Sequence, residues 1–148
     1  MLAAAAMVLI TAATALAADP GRQYYGETTA NPSAPPFSEA VLVGETLYVA
    51  GHIGLDPKTQ LAVATVDDEA RAVMDATKQA LESAGFSIDD LVSVTIYCTD
   101  LALYDGFNAI YRGYFHGHYP ARAFIGVKQL VRGAHFEVAG VATRHPKP

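Results

Sequence analysis

The sequence predicts an α+β domain in which a single sheet carries two helices on one face. Three observations lead there. Five short apolar stretches alternate with period two, and two longer ones repeat at i, i+3, i+4. Their order along the chain is β-β-α-β-α-β-β, too few helices to cover both faces of a sheet. At 148 residues, the chain has the length of one domain.

Each element has a local reason. Phe37 to Val43 reads as the first strand, Val43-Gly44-Glu45 as a turn and Thr46 to Ile53 as a second strand, together a hairpin. Leu47, Val49 and Gly51 fall on one side of the second strand, Tyr48 and Ala50 on the other. Asp56 to Thr59 has turn composition. Thr65 is an N-cap with Asp68 three residues on, and Ala70, Val73, Met74, Thr77, Ala80, Leu81 and Ala84 form one helical stripe that Gly85 stops. Leu91 to Thr99 is a strand with Val92, Val94, Ile96 and Cys98 on one face. Asp100 caps a second helix with the stripe Leu103, Phe107, Ile110, Tyr111, Tyr114 and Phe115, broken at residues 116–120. Ala121 to Val127 and Phe136 to Ala142 are the last two strands, with a turn at Gly133. The sheet face without helices keeps apolar residues, which predicts self-association.

Composition narrows the function. Fifteen acidic against ten basic side chains give a net charge of -5, the wrong balance for a nucleic-acid cradle. The single cysteine excludes a disulfide framework and a cysteine-rich zinc site. Residues 1–17 are apolar, Ala-rich and uncharged, and end Ala15-Leu16-Ala17, the small-residue pattern of a secretory signal peptide, although no Lys or Arg precedes the apolar run. The segment is short and Ala-diluted for a spanning helix of about 20 residues. The expectation is an exported, periplasmic or secreted protein without a stable membrane anchor: signal peptide 1–17, an extended arm or loop over 18–36, and a domain over 37–148.

The ordered set PPFSEAVLVGETLYVAGHIGLDPKTQ, SAGFSIDDLVSVTIYCTDL, FNAIYRGYF, YPARAFIGV and FEVAGVA, spread from Pro35 to Arg144, resembles the RidA (YjgF) family of enamine/imine deaminases. The resemblance implies a chorismate-mutase-like fold, a homotrimer, active sites in clefts between subunits, and no cofactor. It also implies roles for single residues. Arg122 matches the family's carboxylate-gripping arginine, a task suited to a planar guanidinium fork. Glu137, an acid inside an apolar strand, matches the glutamate that holds the hydrolytic water. Asn108 matches a frequent asparagine, read as an amide that bonds loop backbone near the cleft.

Several positions depart from the family's pattern. Phe37 stands for a common Tyr, Ala50 for Ser, Phe124 for Cys, His52 for Gln and Ala139 for a second Glu. Phe37, Ala50 and Phe124 would make the substrate pocket more apolar. The expected function is hydrolysis of 2-imino or enamine acids to 2-oxo acids and ammonia, as the resemblance implies; the replacements at Phe37, Ala50 and Phe124 favour its alternative. The alternative is a non-catalytic trimer that binds small carboxylates. His116 and His118 read as a solvated loop with no metal, Cys98 as a core residue, and Tyr24, Tyr25, Tyr104, Tyr111 and Tyr114 as packing.

Overall fold

A computed structural model of the chain describes residues 21–26, 33–56 and 58–144. The segment 1–17, expected to be a signal peptide, and part of the expected arm lie outside these residues. A six-stranded sheet in the order β1-β2-β3-β6-β4-β5 carries two α-helices. Its strands are β1 (Arg22–Tyr25), β2 (Ala40–Val43), β3 (Thr46–Ile53), β4 (Leu91–Cys98), β5 (Ala121–Gly126) and β6 (Phe136–Thr143), with α1 (Val66–Ser83) and α2 (Tyr104–Arg112) between them. β4 and β5 run parallel, joined through α2; the other neighbours are antiparallel. The last strand, β6, lies between β3 and β4 at the centre of the sheet.

The helices form where their caps and stripes place them. The Thr65 hydroxyl accepts from the Asp68 N–H at 3.1 Å and donates to the Asp68 carboxylate at 2.7 Å. That closes the first turn of α1. At the other end, Phe86 N–H bonds Leu81 O and Gly85 N–H bonds Glu82 O, with Gly85 at φ +75°, a left-handed stop open to glycine. All seven stripe residues of α1 are buried. They pack on Leu47, Val49, Val94, Ile96, Phe136 and Val138 of the sheet, and burying each large aliphatic side chain contributes about 1.5–3 kcal/mol.

Four features differ from expectation. The arm supplies a strand: β1 pairs with β2 as the edge of the sheet, so the order is β-β-β-α-β-α-β-β and the sheet begins before residue 37. Its sequence, Arg22-Gln23-Tyr24-Tyr25, has no apolar alternation, and it is held by main-chain bonds that a hydrophobic pattern does not report. β2 starts at Ala40, leaving Phe37 in a bend and 56% exposed. A register shift between Leu91 and Ser93 turns Val92 outward, away from the core face of Val94. Asp100 caps a short 3-10 turn (Leu101–Leu103) rather than α2 itself, and α2 ends at Arg112 with Gly113 as its cap. Tyr114 and Phe115 still pack on the core from beyond the helix end.

The face without helices carries Val41, Tyr48, Ile53, Tyr97, Ala139 and Val141, half-buried or exposed in a single chain. Cys98 is fully buried on the helix face, and burial pushes its thiol pKa up, as suits an inert core residue.

Candidate active site

Arg122 projects from β5 on the helix face of the sheet, in register with the buried Val94. α2 passes over it and supplies aromatic walls. The guanidinium carbon lies 4.7 Å from the ring centre of Tyr111, 5.7 Å from Phe124 and 5.8 Å from Tyr104. Three rings thus hold the cation by cation–π attraction while leaving most of its N–H groups unspent. Its one hydrogen bond is a long one, 3.5 Å to the Tyr104 hydroxyl, and among the described residues no carboxylate pairs with it. The guanidinium opens on a cleft of about 260 Å³ lined by Tyr104, Asn108, Tyr111, Arg112, Tyr119, Pro120 and Arg122. No acid lines it. A half-buried cation, resting on ring faces and lacking a carboxylate partner among the described residues, is suited to receive an anion from solution.

Asn108 is 6% exposed and lines this cleft. Its amide makes no hydrogen bond among the described residues, so the expected bond to loop backbone is not formed. Phe124 is not a lining residue. It packs edge-on against Tyr104 at 4.9 Å and against Phe107 at 5.7 Å, forming a floor beneath the guanidinium. The walls of the cleft are therefore more polar than the substitution at Phe124 implied.

Glu137 lies elsewhere. On β6 the buried Phe136 and Val138 point to the helices, so Glu137 points to the opposite face, in register with Ile53 and Tyr97. It lies over Gly51, where a bulge between Val49 and His52 shifts the register of β3. A Cβ at position 51 would collide with the Glu137 carboxylate, so glycine there is what gives the acid its place. Ala50 sits in the same bulge and donates its N–H to Glu39 O at 2.9 Å, which brings the segment holding Phe37 to this end of β3. Arg122 and Glu137 are two strands and three register steps apart, about 14 Å in the plane of the sheet by standard strand spacings, and on opposite faces. The six sequence-predicted site residues thus divide into two groups: Arg122, Asn108 and Phe124 under α2, and Glu137, Ala50 and Phe37 at or near the bulge.

The remaining singled-out residues take lesser parts. His52 is in register with Val138 on the helix face; its Nε2 is buried without a partner among the described residues, and desolvation lowers its pKa, which keeps it neutral. His116 takes Asp89 as partner, through its backbone N–H at 3.1 Å and its ring at 3.4 Å. Among the described residues no group of three or more His, Cys, Asp or Glu is placed to hold a metal.

Sequence reasoning missed two groups. Glu69, fully buried in the first turn of α1, accepts hydrogen bonds from the backbone N–H of His135 and of Phe136 (2.9 Å) and meets the His135 ring at 2.8 Å. It pins the start of β6 directly before Glu137. An acid in a first turn reads as a partner for the helix dipole, which hides this second task. Tyr111 reads as helix stripe, and its ring is core; the residue also lines the cleft, and its hydroxyl is buried without a partner among the described residues.

Comparison with known proteins agrees with this architecture. Residues 28–144 match the family model described as Endoribonuclease L-PSP, the RidA/YjgF domain. The chain belongs to the RidA family. It is 34% identical over 126 residues to the mouse 2-iminobutanoate/2-iminopropanoate deaminase, covering 84% of this chain and 93% of that one. The crystal structure of RidA from an Antarctic Psychrobacter superposes with a TM-score of 0.74 at 30% identity, over 82% of this chain and 99% of that one. That of Escherichia coli TdcF with bound serine does so at 0.74 and 28%, over 83% and 100%. The RidA relatives thus share the fold, and one of them carries a deaminase name.

Proposed function

We propose that the protein is a cofactor-independent hydrolase of 2-imino acids, or their enamine tautomers, working as a trimer with sites shared between subunits. The observation that carries the reading is the unpaired Arg122 guanidinium, aimed by three rings into an acid-free cleft. The substrate carboxylate docks on that fork. Glu137 orients a water for attack on the C2 carbon, which as an imine is already electrophilic. The resulting carbinolamine expels ammonia after proton transfer and leaves a 2-oxo acid. Because Arg122 and Glu137 occupy opposite faces of one sheet, one substrate reaches both only when a second copy brings its Glu137 to the first copy's cleft. The apolar residues on the face without helices supply the surface for that association. The deaminase name of the mouse relative supports the same chemistry. A ribonuclease reading has less behind it, since net charge -5 disfavours a polyanion.

The test is ammonia and 2-oxo-acid release from imines made in place by an amino-acid oxidase. Acceleration over the oxidase alone is expected. No acceleration with any of several amino acids, small and bulky, would sink the reading.

The apolar leader further supports an exported protein, acting on imines that an oxidase or dehydrogenase makes outside the cytoplasm. N-terminal sequencing of the protein from its native host is expected to begin near Ala18; a full-length cytosolic product would refute export.

A further inference from the structure

We infer that the Tyr111 hydroxyl is a second anchor for the bound carboxylate, donating a hydrogen bond to the same anion that Arg122 grips. The inference rests on the carboxylate-binding part of the proposed function and adds a residue to it. Tyr111 is 3% exposed and lines the Arg122 cleft, with the guanidinium carbon 4.7 Å from its ring centre. Its ring is locked by Phe107 at 6.0 Å and Phe115 at 4.7 Å, so the hydroxyl direction is fixed. Yet that hydroxyl is buried and has no hydrogen-bond partner among the described residues. A buried donor without an acceptor is costly, and native proteins keep few of them.

Among the described residues the cleft contains no acid that could accept the proton. Arg112 and Arg122 bring only donors to the cleft, and an incoming carboxylate is an acceptor of matching charge for the Tyr111 hydroxyl. Burial raises the hydroxyl's pKa to about 12 against the opposing pull of Arg122, so it remains a donor at neutral pH. Arg122 lies across the ring on ring contacts and one long bond, and it can yield a path when an anion draws its fork outward.

The test is Tyr111→Phe, which keeps the ring platform and deletes one oxygen. The probe is 2-oxobutanoate, whose binding is measured by calorimetry on the assembled protein, with melting temperature followed in the absence of ligand. Affinity is expected to fall about 10- to 100-fold, as for a hydrogen bond to a charged group. The ligand-free variant is expected to melt no lower than the parent, because an orphaned buried hydroxyl has been removed. Opposite signs on affinity and stability distinguish an anchor from a structural group. Unchanged affinity overturns the inference, as does any fall in melting temperature, which would give the hydroxyl a structural partner. Binding without turnover separates the two claims. A parent that hydrolyses no imine but loses 2-oxobutanoate with Tyr111→Phe retains the anchor and not the enzyme. A parent that hydrolyses imines but does not bind 2-oxobutanoate loses the anchor and keeps the enzyme.

Discussion

Arg122→Ala is expected to lower imine hydrolysis and 2-oxo-acid binding by about 30- to several-thousand-fold, the range for loss of a desolvated charge pair of about 2–5 kcal/mol. The upper part of the range applies if docking of a second subunit dries the cleft, since Arg122 is only half-buried in one chain. Arg122→Lys separates geometry from charge. An ammonium keeps the charge, but it loses the bidentate fork and most of the fit across the Tyr111 ring. It is expected to rescue only a small part of the loss. The same oxidase-coupled assay and 2-oxo-acid titration read both variants, with assembled mass checked in each. Alanine at 122 with parental turnover would remove the carboxylate clamp from the mechanism. A parent that binds 2-oxo acids through Arg122 but turns over no imine would be a binding module.

Much of the core was readable before any coordinates. The stripe on α1 was legible because a long helix repeats its apolar pattern enough times to fix a face, and Thr65 and Gly85 mark its ends. What resisted reading depends on partners far away in the chain. β1 has four residues and no apolar side, and only pairing with β2 makes it a strand. Val92 looks inward by strict alternation; the pairing of β4 with β6, here with residues about fifty positions on, inserts the bulge that turns it out. Glu69 is an ordinary first-turn acid until β6 places two N–H groups against it.

The candidate site divides in the same way. Arg122 and Glu137 were nameable one at a time, from a family pattern and from an acid in an apolar strand. Their placement on opposite faces follows from the sheet order β6-β4-β5 and the parallel pairing of β4 with β5, which no local pattern contains. Tyr111 illustrates a further limit. Sequence spacing places its ring in the core correctly, but spacing cannot tell whether the oxygen at the ring's far end finds a partner.

The opposite-face placement also yields the second large effect, an activity that two dead variants regain together. Glu137→Gln keeps a group that bonds water and removes the carboxylate that can take a proton from it, so turnover is expected to fall about 100- to 10,000-fold with 2-oxo-acid binding nearly intact. Arg122→Ala has the complementary defect. If each site takes Arg122 from one subunit and Glu137 from its neighbour, a mixed trimer contains some sites with both native residues. Those sites combine the arginine of a Glu137→Gln subunit with the glutamate of an Arg122→Ala subunit. Co-refolding the two variants in equal amounts assorts subunits at random, and in a closed ring about a quarter of the sites are then intact. Activity near a quarter of the parent is expected from two preparations that are each nearly inactive. Mixing without refolding is expected to restore activity only as fast as subunits exchange. If each chain instead used its own Arg122 and Glu137, every site in every mixture would keep one defect, and co-refolding would give no gain. That result would refute the shared site while leaving the role of each residue to its own variant.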